Sequence, residues 1–130
     1  MQAIPSLFVA HSNLGGRGVF TSALIPKGSI IEICPVIALP IRERPYLDET
    51  GLYDYYFIWG EKENQCAIVL GYGSMYNHSF HPNAQYRPDY QGNTLDFFAM
   101  QDIKPGEEIT VNYNGDPEVQ EDVWFDVEEQ

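Results

Sequence analysis

Two stretches in the C-terminal half of this 130-residue chain decide its fold: NHSFHPN at residues 77–83 and GEEITVNY at residues 106–113. The first is rich in Asn, His, Ser and Pro, which is typical of a loop whose side chains hydrogen-bond the neighbouring backbone. The second predicts a turn followed by a strand, Glu108–Asn112, that ends beside an aromatic residue, Tyr113. Taken alone, neither stretch identifies a function.

The first stretch contains residue types that also occur in metal and nucleophile sites. His78 and His81 have a spacing that could suit a metal ion, but the two cysteines are far away in sequence and no second pair of ligands is visible. We therefore expect no metal site. Ser79 lies on no strand–turn–helix elbow, and no oxyanion loop is recognisable, which argues against a serine nucleophile.

A third stretch, Gly15–Phe20, reads GGRGVF. Its glycines allow positive φ angles and a close approach of backbone N–H groups to a ligand. A hairpin connection before a strand explains them equally well. The stretch is not a dinucleotide fingerprint, because no G-x-G-x-x-G opens a helix.

Short apolar runs bounded by Gly, Pro and Asn predict a single, mainly β domain. The predicted strands are Leu7–His11, Gly18–Ala23, Ser29–Val36, Tyr55–Trp59, Ala67–Gly71, Ala84–Arg87, Leu95–Gln101 and Glu108–Asn112. Two short helical segments are predicted, at Pro45–Leu52 and at Val119–Val127.

The charge balance is strongly acidic: 7 Lys and Arg against 19 Asp and Glu, for a formal net charge of −12. Such a field repels phosphate backbones, so we expect no direct binding of nucleic acid. Attraction of a basic protein is favoured, although solubility alone also accounts for the charge.

Features of cellular location point to the cytoplasm. No apolar run approaches the ~18 residues of a membrane span, so we expect no membrane association. Residues 1–5 lack the basic and long apolar regions of a secretory signal. The only cysteines, Cys34 and Cys66, are too few for a disulfide framework and suit a reducing compartment.

The three stretches occur together and in order, and in this combination the sequence resembles the SET-domain protein lysine methyltransferases. It is most similar to the small stand-alone SET proteins of bacteria and large viruses. The resemblance runs from about Asn13 to Gly115 and implies a SET domain over residues 1–115. That fold consists of several small curved β-sheets, β-clip-like, with a C-terminal pseudoknot.

The resemblance also implies the cofactor and the residues of the site. S-adenosyl-L-methionine would bind against the Gly-x-Gly backbone and the Asn-His pair, which correspond here to Gly16, Arg17, Gly18, Asn77 and His78. Tyr113 corresponds to the catalytic tyrosine. For the channel that admits the substrate lysine we expect one or two aromatic residues from the segment 53–57, the candidates being Tyr53, Tyr55 and Tyr56.

The acidic C-terminal segment, residues 116–130, lacks the zinc-binding cysteines with which many SET enzymes close the site. It carries Trp124 and Phe125 instead, and resembles family members whose aromatic segment folds over the adenine. Trp124 would then stack on the cofactor. A hydrophobic anchor for an acidic tail is an equally good explanation of this tryptophan.

Two positions depart from the family pattern. Ser74 stands where many members have an arginine, three residues before Asn77. Val111 stands in the channel position that is commonly Phe or Tyr and that affects how many methyl groups are added. Because valine is smaller and has no hydroxyl, we predict room for a methylated amine and hence multiple methylation.

The chemistry explains why such residues would be needed. A free lysine with a pKa of ~10.4 is only about 0.04% neutral at pH 7, and a dry channel next to a sulfonium charge lowers that pKa. The Tyr113 hydroxyl, together with backbone carbonyls, would orient the methyl group through weak C–H···O contacts. A general-base role suits it less, since an ordinary phenol has a pKa of ~10.

The resemblance and the charge together predict a basic protein substrate, histone-like or ribosomal, and chromatin as the location if the substrate is a histone. Two other functions stay open: a catalytically silent SET-like module that binds basic peptides, and an interaction protein with an acidic docking surface. A homodimer is expected only by analogy with small relatives.

Overall fold

Curved β-sheets are the main secondary structure of the described residues, as the sequence predicts. The computed structural model describes residues 3–113, so the acidic segment 116–130 with Trp124 and Phe125, and the predicted helix Val119–Val127, lie outside the described residues. The strands in chain order are β1 Leu7–His11, β2 Arg17–Thr21, β3 Ile30–Pro40, β4 Tyr56–Trp59, β5 Gln65–Val69, β6 Asn77–His78, β7 Ala84–Asp89, β8 Thr94–Ala99 and β9 Glu108–Val111.

The strands form two sheets. The first has the order β1-β2-β9-β6 and the second β4-β5-β3-β8-β7. Neighbouring strands are antiparallel except β6 and β9, which run parallel, with Asn77 opposite Thr110 and His78 opposite Val111. Residues that are directly opposite each other share a face of the sheet. The buried faces carry the core, including Val19, Ile31, Phe97 and Ile109.

Strand β3 is the longest and connects the two halves of its sheet. Its first half pairs with β8 and its second half with β5. The sequence predicts an end at Val36, but the strand continues to Pro40, because residues 36–40 pair in register with β5. A partner strand, which the local pattern cannot reveal, extends it.

The predicted helical segment Pro45–Leu52 is present but shorter. A 3₁₀ turn at Ile41–Glu43 leads into helix α1, Arg44–Asp48. A proline near the first helical position suits this start. The helix has no buried residue, and its ends are held by Tyr56, whose hydroxyl donates to Asp48 Oδ1 at 2.6 Å and accepts from Arg44 Nε at 2.8 Å.

The largest difference from the sequence prediction is β6. Residues 77–83 are predicted to be a loop, but Asn77 and His78 form a two-residue strand against β9. Such a strand is too short to produce a visible alternation and exists because β9 supplies its partner. This crossing of two distant stretches is the contact that the predicted pseudoknot requires.

Within residues 3–113 no helix has the length and apolarity needed to cross a bilayer. The same residues contain no group of three or more His, Cys, Asp or Glu side chains arranged to hold a metal ion.

Candidate active site

Glu108, the first residue of β9, joins the three stretches that the sequence singles out. Its Oε1 accepts a hydrogen bond from Ser12 Oγ at 2.5 Å, and its Oε2 accepts one from Asn77 Nδ2 at 2.8 Å. Gly18 lies directly against this pair: an added Cβ would be 2.8 Å from Glu108 Cδ and 2.9 Å from Asn77 Nδ2. Glycine is therefore required at position 18 by close packing.

The side-chain amide of Asn77 is oriented by this arrangement. Its Nδ2 donates to the backbone oxygen of Arg17 at 3.0 Å as well as to Glu108. Both N–H groups of Nδ2 point to these acceptors. The half-buried side chain can therefore accept a hydrogen bond from a ligand through its amide oxygen, Oδ1.

The turn between β1 and β2 is open to a ligand. Gly15 and Gly16 have φ angles of 119° and 58°, and a Cβ added at either would meet no atom within 4 Å. A hydrogen bond from Ser12 N to Gly16 O, at 3.0 Å, closes the turn. The backbone here is thus fixed and approachable, while Arg17 is exposed beside it.

His78 is 3% exposed, and its ring supports the end of β9. Its Nδ1 accepts a hydrogen bond from Tyr113 N at 2.9 Å, so the neutral ring carries its proton on Nε2. The ring also contacts those of Phe80 and Tyr113, with centroid distances of 4.6 and 5.2 Å. The His78 side chain therefore positions Tyr113, and its predicted contact with the cofactor stays a prediction.

Asn83 attaches the loop after β6 to β9 a second time. Its Nδ2 donates to Glu108 O at 2.8 Å, and its Oδ1 accepts from Thr110 N at 2.9 Å. The side chain is 7% exposed. One buried amide thus satisfies one donor and one acceptor of the strand that leads to Tyr113.

The hydroxyl of Tyr113 donates to the backbone oxygen of Tyr76 at 2.7 Å. Burial raises the pKa of Tyr113 well above its ordinary value, so the phenol is neutral at physiological pH. Tyr86 lies beside it, with its hydroxyl 3.4 Å from Tyr113 O, and burial raises the pKa of Tyr86 to about 12.

Tyr113 lines a cavity of about 400 Å³ that is mostly aromatic. The aromatic cavity is lined by Asp54, Tyr55, Tyr56, Phe57, Ile58, Trp59, Gly73, Ser74, Tyr76, Tyr86, Pro88, Tyr90, Leu95 and Tyr113. Tyr55 and Tyr56 are among the predicted channel residues. Tyr53 is 53% exposed and Val111 is 1% exposed in the core, and neither is part of this lining.

Tyr86 is the main lining residue that the sequence analysis misses. A signal for it exists: it shares a face of β7 with buried Ala84, and Ala84 directly follows Asn83, which is bonded to β9. Alternation along a strand therefore directs Tyr86 to the side of the sheet where β9 ends.

Ser74, which replaces the usual arginine, connects two walls of the aromatic cavity. Its hydroxyl lies 3.0 Å from Tyr55 O and 3.2 Å from Val69 O, within hydrogen-bond distance of both. The side chain thus ties the turn before β6 to the segment before β4.

A second cavity, of about 430 Å³, is more polar and borders Glu108. Its lining consists of His11, Asn13, Leu14, Phe20, Ser79, His81, Gly106, Glu107, Glu108 and Thr110. Of the predicted cofactor residues, Arg17 and Gly18 contact Asn77, and His78 follows it on β6; Gly16, Arg17, Gly18, Asn77 and His78 line neither of these two cavities.

Comparison with known proteins explains the grouping of these stretches. The profile of the SET domain matches residues 16–114, which includes the Gly-x-Gly turn, the Asn-His pair and Tyr113. The chain belongs to the SET-domain family. Trp124 lies outside the matched residues, so its predicted role in closing the site stays a prediction.

Relatives of this SET domain include two fungal enzymes. A Schizosaccharomyces pombe histone-lysine N-methyltransferase, specific for H3 lysine 37, is 33% identical over 114 residues, covering 87% of this chain and 72% of the relative. A Cryptococcus neoformans histone-lysine N-methyltransferase, specific for H3 lysine 36, is 33% identical over 110 residues, 78% of this chain but only 13% of the relative. These relatives support a lysine methyltransferase activity.

Solved structures agree with the SET fold. A crystal structure of a protein assigned as a histone methyltransferase from Plasmodium falciparum is 34% identical, with a TM-score of 0.68, covering 87% of this chain and 95% of that one. A chain of the Chaetomium thermophilum Polycomb Repressive Complex 2, in a humanized mutant form, has a TM-score of 0.73 at 23% identity, over 85% of this chain and 15% of that one. The second likeness is one of fold alone.

Proposed function

We propose that the protein is a protein-lysine N-methyltransferase that uses S-adenosyl-L-methionine and modifies a basic protein. The observation that carries the proposal is the Tyr113 hydroxyl, bonded to the Tyr76 carbonyl in the wall of the aromatic cavity. A long aliphatic side chain with an amine at its end suits such a cavity, since the rings contact its methylene groups and exclude water.

The residues present fit the proposed cofactor. The Gly15–Gly16 turn leaves its backbone open to a ligand, and Asn77 Oδ1 is oriented as an acceptor, which suits the amino group of the methionine portion. Gly16, Arg17, Gly18, Asn77 and His78 are the residues that would hold it. When bound, S-adenosyl-L-methionine supplies an electrophilic methyl group, whose C–S bond breaks as the C–N bond forms and leaves a neutral thioether.

The chain's own residues prepare the amine and align it. Burial among aromatic rings disfavours the ammonium form of the substrate lysine, so its pKa falls and the proton leaves to solvent before transfer. The Tyr113 hydroxyl stays protonated, because burial raises its pKa. It acts by orienting the reacting groups, with the Tyr76 carbonyl as a second C–H···O acceptor, rather than by taking a proton.

Charge supports a basic protein as the substrate. The net charge is −12, and Asp54 lines the aromatic cavity. A positive segment around the lysine would meet a favourable field, which raises the encounter rate at low salt. Because the fungal relatives are named for histone H3, we propose a histone-like substrate, with ribosomal proteins as the second class, and a place of action at chromatin. The relatives give no support to the predicted cytoplasmic location.

We infer multiple methylation from the sequence alone, because Val111 is small where many SET enzymes have an aromatic residue; Val111 does not line the aromatic cavity, so the structure adds no support. A product spectrum that stops at monomethyl-lysine would contradict this inference.

A homodimer stays a prediction, which light scattering of the purified protein tests.

The test is transfer of labelled methyl groups from S-adenosyl-L-methionine to core histones and, separately, to a cytosolic extract. We expect label on lysine with the native protein and a loss on the order of 100-fold with Tyr113→Phe, because orientation of the reacting atoms is lost. Tyr46→Phe, which alters a tyrosine that is 73% exposed on α1, is the matched control.

Calorimetry with S-adenosyl-L-methionine separates the remaining outcomes. Cofactor binding without transfer to either pool supports the catalytically silent binding module instead. If neither binding nor transfer occurs, the methyltransferase proposal is rejected.

A further inference from the structure

Glu32 is a buried carboxylate that none of the sequence motifs includes. We propose that it is a positioning residue that fixes the backbone carbonyl on which the Tyr113 hydroxyl rests. The inference deepens the proposed function and rests on it. Glu32 lies on β3, 4% exposed, and does not line the aromatic cavity itself.

The carboxylate holds both ends of one turn. Its Oε1 accepts a hydrogen bond from the hydroxyl of Tyr76 at 2.7 Å, and its Oε2 accepts one from Tyr72 N at 3.0 Å. Burial of a carboxylate costs free energy unless such hydrogen bonds compensate for the lost contacts with water. Because the two donors stand four residues apart, the pair determines the shape of the turn between them.

The turn has no free space on the side of β3. A Cβ added at Gly71 would meet the Glu32 carboxylate, with Cδ at 3.2 Å. One added at Gly73 would lie 3.1 Å from Val69 Cβ and 3.2 Å from Cys34 Sγ. The backbone of the turn therefore packs directly on the strands that carry these side chains and cannot move toward them.

Tyr76 transmits this constraint to the site. Its hydroxyl is bonded to Glu32, its ring stacks on Phe97 with centroids 4.4 Å apart, and its carbonyl accepts the Tyr113 hydroxyl at 2.7 Å. A shift of the ring would displace the carbonyl and with it Tyr113. A displacement of about 1 Å in a site of this kind can reduce turnover on the order of 100-fold.

The decisive variant is Tyr76→Phe, which keeps the stacked ring and removes the hydroxyl. We expect kcat to fall between about 10-fold and about 100-fold, while KM for a peptide substrate and the affinity for S-adenosyl-L-methionine stay within about twofold. Glu32→Gln tests the same link from the other side: its amide oxygen can accept from Tyr72 N and its amide nitrogen can donate to the Tyr76 hydroxyl. It should therefore retain most of the activity that Glu32→Ala loses.

A merely structural role is excluded by a matched control. Ile25→Val shortens a buried side chain in the bridge between Ile25 and Ile103, away from the turn, and costs about 1 kcal/mol of stability. It should leave kcat unchanged at a temperature at which all variants are folded by circular dichroism.

A second readout does not depend on activity. With tyrosines labelled at the ring Cζ carbon, the NMR signal of Tyr113, assigned through Tyr113→Phe, should shift in Tyr76→Phe and not in Ile25→Val. An unmoved signal rejects the inference, and so does a Tyr76→Phe enzyme with native kcat. A native protein without any transfer would reject the proposed function, and the NMR comparison would still decide the role of Glu32.

Discussion

Tyr113 separates two regions that are built differently. On one side lies a polar junction, formed by Ser12, Gly18, Asn77, Asn83 and Glu108, in which side chains are bonded at 2.5–2.9 Å. On the other side lies the aromatic cavity, in whose lining Phe57 packs edge-on against Tyr86 and Trp59 against Tyr90. The junction depends on the identity of each donor and acceptor, whereas the cavity depends on volume and shape.

This difference predicts two kinds of mutational response. A buried polar atom that loses its hydrogen-bond partner costs the full free energy of its desolvation. Variants of the junction should therefore reduce stability more than turnover. A ring that is exchanged for another ring keeps its packing. Conservative variants of the cavity should therefore reduce turnover more than stability.

The largest loss of stability is expected for Asn83→Ala. The substitution leaves Thr110 N–H and the Glu108 carbonyl without partners inside the junction, and we expect the free energy of unfolding to fall by about 3 kcal/mol. Unfolding in urea, followed by circular dichroism, measures it. A loss below about 1 kcal/mol would mean that water replaces the amide and that the junction is not as dry as its burial indicates.

Asn83→Asp sharpens the same test through pH. Its carboxylate can accept from Thr110 N but would also face the Glu108 carbonyl, so the folded state favours the protonated acid and its pKa is raised. The contribution of this acid to the free energy of unfolding is fully present below the unfolded pKa of ~3.9. It is lost as the pH rises through the pKa of the folded state. The deficit relative to the native protein should therefore widen from about pH 4 to about pH 7.

A smaller loss, about 2 kcal/mol, is expected for Gly18→Ala. The added methyl group overlaps Glu108 and Asn77, and moving the carboxylate breaks its bonds to Ser12 and Asn77. Because the Asn77 amide then loses its orientation, affinity for S-adenosyl-L-methionine should fall along with stability. Gly51→Ala is the control, since a Cβ at that position meets no atom within 4 Å. Equal effects of the two variants would contradict close packing at Gly18.

The same contrast explains what the sequence could predict. Apart from Ser12, the junction residues lie in the three stretches that the sequence singles out, and the strand β1, Leu7–His11, is predicted with its observed bounds. β6 could not be predicted, because two residues form a strand only through a partner far along the chain. Tyr86 and Glu32 were missed for a related reason: their roles depend on contacts across sheets, and tyrosine and glutamate are ordinary residues on a strand.

In the cavity, Tyr86→Phe should reduce stability by less than about 1 kcal/mol, since the bond that its hydroxyl makes within residues 3–113 is 3.4 Å long. Expressed as a free energy, the loss of kcat should exceed the loss of unfolding free energy, because the hydroxyl faces the site beside Tyr113. Measurement of kcat and of the unfolding free energy on one preparation separates the two effects. If the loss of unfolding free energy were the larger of the two, the hydroxyl of Tyr86 would have a structural role rather than a role in turnover.

Alkaline pH gives a further check on Tyr86. Its folded pKa of about 12 exceeds the ordinary 10.0, so its contribution to stability is complete below about pH 10 and is lost as pH rises toward 12. The variant lacks this ionisation. Its stability relative to the native protein should therefore improve from about pH 9 to about pH 11.5.

The smallest effect is expected for Tyr56→Phe, at the mouth of the same cavity. The lost hydroxyl connects Arg44 and Asp48 on helix α1, where all three groups reach solvent, so water replaces its bonds and the cost stays near 0.5 kcal/mol. Turnover should remain within about twofold of native, because the ring that lines the cavity is retained. Tyr56 and Tyr86 thus undergo the same chemical change in one cavity, and only the hydroxyl that faces Tyr113 should affect the reaction. If both variants lost turnover equally, the shape of the whole cavity, rather than the neighbourhood of Tyr113, would control the rate.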